Sequence, residues 1–239
     1  MGRAHEVRKV AMAKTAAAKT KIYSRFGKEI YMAAKSGVVD ITMNVNLKKK
    51  IEQAKANQVP NDVINRAIEK AKGSSNETYD TCRYEGFGPK DSTIIIDCLT
   101  DNVNRTISDI KTCFNKTKQK LGVLGSVSFN YENLGVLSFI YNNTNSDEIF
   151  EYLLDKNIEL KDIILSDNTL TIYVFPNDLH LTQQVIQELL VDIEFIECEL
   201  KMIPNELIEL NQEDIQIFDK LIQLLEDIDD VQQIYHNVK

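Results

Sequence analysis

Two short strings carry the residue types from which chemistry could be built. The first, Tyr84-Glu85-Gly86-Phe87-Gly88-Pro89, sets a carboxylate among two glycines, an aromatic ring and a proline. As a general base Glu85 would need a partner to relay its proton, and no His, Lys or second carboxylate stands within four residues of it in the sequence. The Gly-x-Gly is followed by Pro89 and a strand pattern instead of a helix, so it is not a dinucleotide fingerprint. A turn that needs the freedom of Gly86 and Gly88 is the simpler reading.

The second string, Thr100-Asp101-Asn102-Val103-Asn104-Arg105-Thr106, joins a strand pattern to a helix pattern. Thr100, Asp101 or Asn102 can cap the first helical amides. Arg105 is less expected, because a cation in the first turn opposes the helix dipole and an anion there is welcome. Capping alone and an oxyanion ligand at the helix start are both open readings. A catalytic pairing of Glu85 with Arg105 is the rival from another class; with no third group to orient them, the sequence points to a protein that is not an enzyme.

The remaining reactive side chains are scattered. Cys82, Cys98, Cys113 and Cys198 form no Cys-x-x-Cys pair, and His5, His180 and His236 stand singly, so neither a metal nor a cofactor is expected. No apolar h-region opens the chain and no apolar run reaches membrane length. Reduced thiols in a bacterial cytoplasm are the expectation.

Charge is the strongest signal. Residues 1–72 hold 16 Lys and Arg against 6 Asp and Glu, whereas the remaining 167 residues hold 12 against 30. A basic end on an acidic body suits a protein that presents one end to phosphates. Arg3, His5, Arg8, Lys9, Lys14, Lys19, Lys21, Arg25 and Lys28 are the candidate nucleic-acid contacts. The acidic stretch Glu206 to Asp230 reads as a solvated face over a core, with protein docking as the alternative.

The elements that must position these residues follow from periodicity. Met1 to Lys21 is Ala-, Lys- and Arg-rich with few large apolar residues, and reads as a mobile basic arm. Ile22, Phe26, Ile30 and Ala33 then recur at helical spacing up to Gly37. Leu47, Ile51 and Ala54 mark a second helix, and Val63, Ile64, Ala67, Ile68 and Ala71 a third that follows Pro60. The short link 57–61 fits a helix-turn-helix or any αα-hairpin. After the polar break 73–80 the pattern becomes strand 82–86, strand 93–99, helix 103–118 and strand 126–131. A βαββαβ run over 135–200 follows, then helix 212–226 and strand 231–237. The fold class expected is α+β: an N-terminal three-helix domain and two ferredoxin-like α/β domains, one inserted in the other. The boundaries are 1–77, 78–132 plus 203–239, and 133–202.

With the strings YEGFGP, TDNVNRT, GSVSF at 125–129 and VQQIYHNV at 231–238 in view, the chain resembles the YebC family over essentially its whole length. The resemblance implies a helical first domain and two α/β domains. It implies a probable transcriptional regulator that binds DNA or, through the related translational activator of cytochrome oxidase subunit one, a translation factor that meets ribosomal RNA and the ribosome. No membrane partner is implied, and a monomer is expected. Tyr84, Glu85, Gly86, Gly88, Pro89, Asn102, Asn104, Arg105 and Thr106 are the family-motif surface so implied. The commonest family opening carries a His-Ser-Lys-Trp string; here Ala4-His5-Glu6-Val7-Arg8-Lys9 stands instead and the chain has no Trp.

Overall fold

A computed structural model describes residues 3–73, 78–142, 146–190, 193 and 195–239, with side chains from Lys19 onward except that of Ala56. The first helix, α1, runs over Arg3–Lys35. Residues 3–21 are therefore helical where the sequence suggested an arm, as their Ala, Lys and Arg content favours once a packed helix follows to extend. α2 (Val45–Ala56) and α3 (Asn61–Lys72) complete the helical part. Phe26, Ile30, Tyr31 and Ala34 of α1 meet Leu47, Ile51 and Ala54 of α2 and Ile64, Ala67, Ile68 and Ala71 of α3 in one buried cluster.

Asn44 locks the entry to α2. Its side chain accepts from the Leu47 amide at 3.0 Å and donates to the Ala33 and Val38 carbonyls at 2.8 and 2.9 Å. One buried amide thus caps α2 and fixes the turn that leaves α1.

Strand β1 (Asp80–Phe87) and β2 (Thr93–Thr100) lead to α4 (Val103–Lys116) and the two-residue β3 (Lys120–Leu121). Next come β4 (Tyr131–Ile140), α5 (Asp147–Asp155), β5 (Leu160–Ser166), β6 (Thr169–Val174), α6 (Leu179–Leu189) and β7 (Phe195–Pro204). The chain closes with α7 (Gln212–Glu226) and β8 (Val231–His236). One sheet has the order β3-β1-β2-β8 and the other β5-β6-β4-β7. In the second, β4 lies antiparallel between β6 and β7, which is the strand order of a ferredoxin-like βαββαβ unit. The mixed α+β class with its helical start is as the sequence implied.

A strand was expected over 126–131, but a 3-10 turn stands at Ser128–Asn130. The amides of Val127 and Ser128 turn inward to the Glu85 carboxylate, so they have none to offer a ladder.

The chain divides into two compact units: Met1–Tyr84, Ile96–Leu121 and Gln212–Ile234 in one, and Glu85–Ile95, Gly122–Asn211 and Tyr235–Lys239 in the other. The βαββαβ segment lies whole within the second. Its core gathers Leu137, Phe139, Leu170, Ile172 and Val174 from the sheet with Ile149, Leu153, Val185 and Ile186 from α5 and α6. Phe139 sits at its centre with the Tyr141 and Phe195 rings edge-on at 6.2 and 5.8 Å. Phe139→Ala is expected to cost about 3 to 5 kcal/mol, read as a lowered urea midpoint with an unchanged far-ultraviolet spectrum.

Candidate nucleic-acid interface

The basic residues divide into those turned to solvent and those held inside the first unit. The backbones of Arg3, His5, Arg8, Lys9 and Lys14 lie in α1, and their side chains fall outside those described. Lys19 is exposed. Lys21 is half-buried; burial lowers its pKa, and Glu226, Asp227 and Asp229 partly restore it. Arg25 donates to the Gln232 carbonyl at 3.4 Å, lies 3.2 Å from the Glu29 carboxylate and stacks over Phe26. Lys28 reaches the Asp230 carboxylate at 2.9 Å and the Asp229 and Leu99 carbonyls at 3.1 and 3.4 Å. A lysine ammonium has three protons, and these are its three acceptors. Arg25 and Lys28, expected at phosphates, thus serve as internal ties of α1. The charge count contained other exposed cations that the candidate residues omitted: Lys48 and Lys55 on α2 and Arg66, Lys70 and Lys72 on α3.

Asp230 is the acceptor that organises the TDNVNRT string. Only 5% exposed, it takes hydrogen bonds from Thr100 at 3.0 Å, Thr106 at 2.9 Å and Arg105 at 2.8 Å, besides Lys28. Asn102 caps α4 by accepting from the Arg105 amide at 3.0 Å. Arg105 also binds Asp101 at 2.6 Å, and both carboxylates raise its pKa, Asp230 foremost. The anion that the sequence invited to the start of α4 is therefore a carboxylate of the same chain. Burial pushes the Asp230 pKa up, but Arg105, Lys28, Thr106 and Thr100 outweigh it and hold the group well below the usual carboxylate range. The acidic stretch read as solvated contains this buried group, and the sequence signal for it was the unmatched Arg105.

Glu85 has a parallel role in the second unit. It is 1% exposed and accepts from the amides of Gly125 at 2.9 Å, Val127 at 2.6 Å and Ser128 at 3.0 Å. Burial raises its pKa and the three amides lower it further than that, so it stays ionised. A carboxylate so engaged is a poor proton acceptor. Gly86, Gly88 and Pro89 are buried as well, and so, in the first unit, is Thr106, whereas Tyr84 is half-buried and Asn102, Asn104 and Arg105 are exposed. The expected motif surface is thus in large part interior, because the strings hold loops to strands. Among the described residues no group of three or more His, Cys, Asp or Glu side chains could hold a metal ion, and no helix is long and apolar enough to cross a membrane.

A basic three-helix segment and two four-stranded sheets, with a buried carboxylate in each compact unit, define an α+β protein with a basic helical start. Residues 3–74 match the TACO1/YebC protein N-terminal domain, and residues 79–238 the TACO1/YebC second and third domain. The chain belongs to the TACO1/YebC family. It is 43% identical to a probable transcriptional regulatory protein of Alteromonas mediterranea, over 99% of this chain and 98% of that protein. It is 41% identical to another so named from a Marinomonas strain, over all of both chains. The crystal structure of a conserved hypothetical protein from Aquifex aeolicus superposes with a TM-score of 0.79 at 28% identity, covering 95% of this chain and 93% of that one.

Asp230→Ala leaves the Lys28 ammonium without its carboxylate and is expected to cost on the order of 3 kcal/mol in chemical denaturation. The folded pKa values of Asp230 and Glu85 lie below their unfolded ones, so their stabilisation is complete above about pH 5 and is lost as pH falls through the folded values. Asp230→Asn and Glu85→Gln should each flatten the acid limb of a stability-against-pH curve.

Proposed function

We propose that this protein is a nucleic-acid-binding regulator of gene expression that acts in the cytoplasm and docks on DNA phosphates through its basic helical domain, residues 1–77. Residues 78–132 plus 203–239 and the inserted 133–202 are proposed as the acidic domains it carries. The observation that supports this most is the reversal of charge along the chain, with Lys19, Lys48, Lys55, Arg66 and Lys70 of the basic part exposed. The name probable transcriptional regulatory protein, borne by its relatives, agrees with that reading.

Ribosomal RNA is the second reading, and one feature of α3 favours it. A helix that reads the major groove presents its N-terminal residues to base edges. Here α3 opens with Asp62 in its first turn and carries Glu69 further along, both exposed. A face of mixed sign suits phosphates met at the flanks of an irregular RNA better than the floor of a duplex groove.

Fluorescence anisotropy with a duplex DNA and with a ribosomal RNA stem-loop, across a salt series, tests both. Affinity should fall by roughly 0.9 log units per phosphate contact per tenfold salt on duplex DNA. The variant Lys48→Gln/Lys55→Gln/Arg66→Gln should lower that slope by roughly 3 with its unfolding midpoint unchanged. A salt-independent affinity for both nucleic acids would overturn the proposal, and a clear preference for the stem-loop would select the second reading.

A further inference from the structure

The acidic part of the chain, residues 73–239, holds 12 Lys and Arg and uses them in two ways. Arg83 is paired with Asp97, Arg105 with Asp101 and Asp230, Lys161 with Glu132, Lys201 with Glu197 and Lys239 with Glu209. Lys111, Lys116, Lys118 and Lys120 are all exposed, and among the described residues none of the four has a carboxylate within ion-pair distance. No Asp or Glu occurs from Ile110 to Tyr131. A short run of cations without acids thus interrupts a part of the chain in which acids prevail.

The fold holds this run in shape. Lys111 and Lys116 stand on the solvent side of α4, whose other side buries Ile110, Cys113 and Phe114. At the helix end the Thr117 hydroxyl donates to the Cys113 and Phe114 carbonyls, both at 3.1 Å, and the Gln119 amide to the Phe114 carbonyl at 2.8 Å. Lys118 takes the left-handed position of this cap, with φ +58°, where glycine or asparagine is the usual residue. Lys120 follows on β3, at the edge of its sheet. Structural needs account for part of this. A cation in the last turn suits the helix dipole, which explains Lys116, and a lysine on an edge strand discourages stray pairing, which explains Lys120. Neither need explains Lys111 or Lys118, nor the lack of acids around them.

The neighbouring side chains select the ligand. Thr112 and Asn115 are exposed between the lysines, and Gln119 is half-buried. Lysine with Ser, Thr, Asn and Gln is the set that contacts phosphate and sugar in nucleic-acid complexes. Protein interfaces are depleted of lysine, and a membrane surface would want apolar side chains beside the cations, which 111–120 do not expose. The run also belongs to the same compact unit as α1, α2 and α3. Within that unit α1 and α4 meet at the Asp230 carboxylate, through Lys28 and through Arg105 and Thr106.

We propose that Lys111, Lys116, Lys118 and Lys120 form a second phosphate-binding surface, which holds the backbone of the nucleic acid on which the helical domain docks. The proposal rests on the nucleic-acid reading above, though not on its contacts from α2 and α3. The full-length protein is titrated with the duplex DNA and the ribosomal RNA stem-loop across a salt series. Lys111→Gln/Lys116→Gln/Lys118→Gln/Lys120→Gln should lower the salt slope by roughly 2 to 4, with the unfolding midpoint unchanged. A control, Lys90→Gln/Lys156→Gln/Lys220→Gln, removes three other exposed cations of the acidic part and should keep the wild-type slope. A slope lowered no further than in the control would overturn the proposal. If the Lys48→Gln/Lys55→Gln/Arg66→Gln slope still fell, the nucleic-acid reading would survive that result, whereas a salt-independent affinity of the wild type would overturn both. A photo-crosslinking amino acid at the exposed Asn115, in the full-length chain in cells, should attach to nucleic acid. Attachment to lipid, or to protein without nucleic acid, would also overturn the proposal.

Discussion

The first unit depends on one buried anion. Asp230 stands at the entrance to β8, and its two oxygens collect α1 through Lys28, the end of β2 through Thr100 and the first turn of α4 through Arg105 and Thr106. Four donors around a nearly inaccessible carboxylate are what make its burial tolerable; with fewer, desolvation would favour the neutral acid. The backbone shares in this, since the Leu99 amide donates to the Asp230 carbonyl at 2.8 Å. Helix α1 is thus tied to elements some two hundred residues away in sequence, and two of its cations, Arg25 and Lys28, have acceptors within the chain.

Glu85 repeats the device in the second unit with different donors. Where Asp230 is met by side chains, Glu85 is met by the amides of a loop, and the effect is local: it shapes 122–130 in place of a strand. Buried carboxylates of this kind organise backbone instead of transferring protons, because the same hydrogen bonds that position them stabilise their ionised form. The two motifs that looked most like chemistry each engage a buried carboxylate that holds neighbouring segments in place, while exposed cations are found on α1 to α3 and apolar tips on the loop that Glu85 holds.

Much of this was legible in the residues. Helical spacing located α2, α3 and α7, and alternation with a βαββαβ order located the ferredoxin-like segment. Both patterns record which side of an element faces a core, and that is a local property of sequence. The 126–131 segment was misread for the converse reason. Val127, Phe129 and Tyr131 alternate as a strand would, but the amides between them are claimed by a carboxylate some forty residues earlier.

By itself the sequence determined the class of fold, the division of charge between a basic start and an acidic remainder, and the strings by which the family is recognised. Charge count and periodicity survive without coordinates because they are sums over neighbours in the chain. Only the tertiary structure decided which charges are available. Lys19 and Lys28 look alike in sequence, yet one meets water and the other meets Asp230; Asp229 and Asp230 are adjacent, yet it is Asp230 whose carboxylate gathers Thr100, Arg105 and Thr106. The reason is that pairing and burial of an ionised group are settled by residues brought together from distant parts of the chain, and no local pattern encodes that meeting.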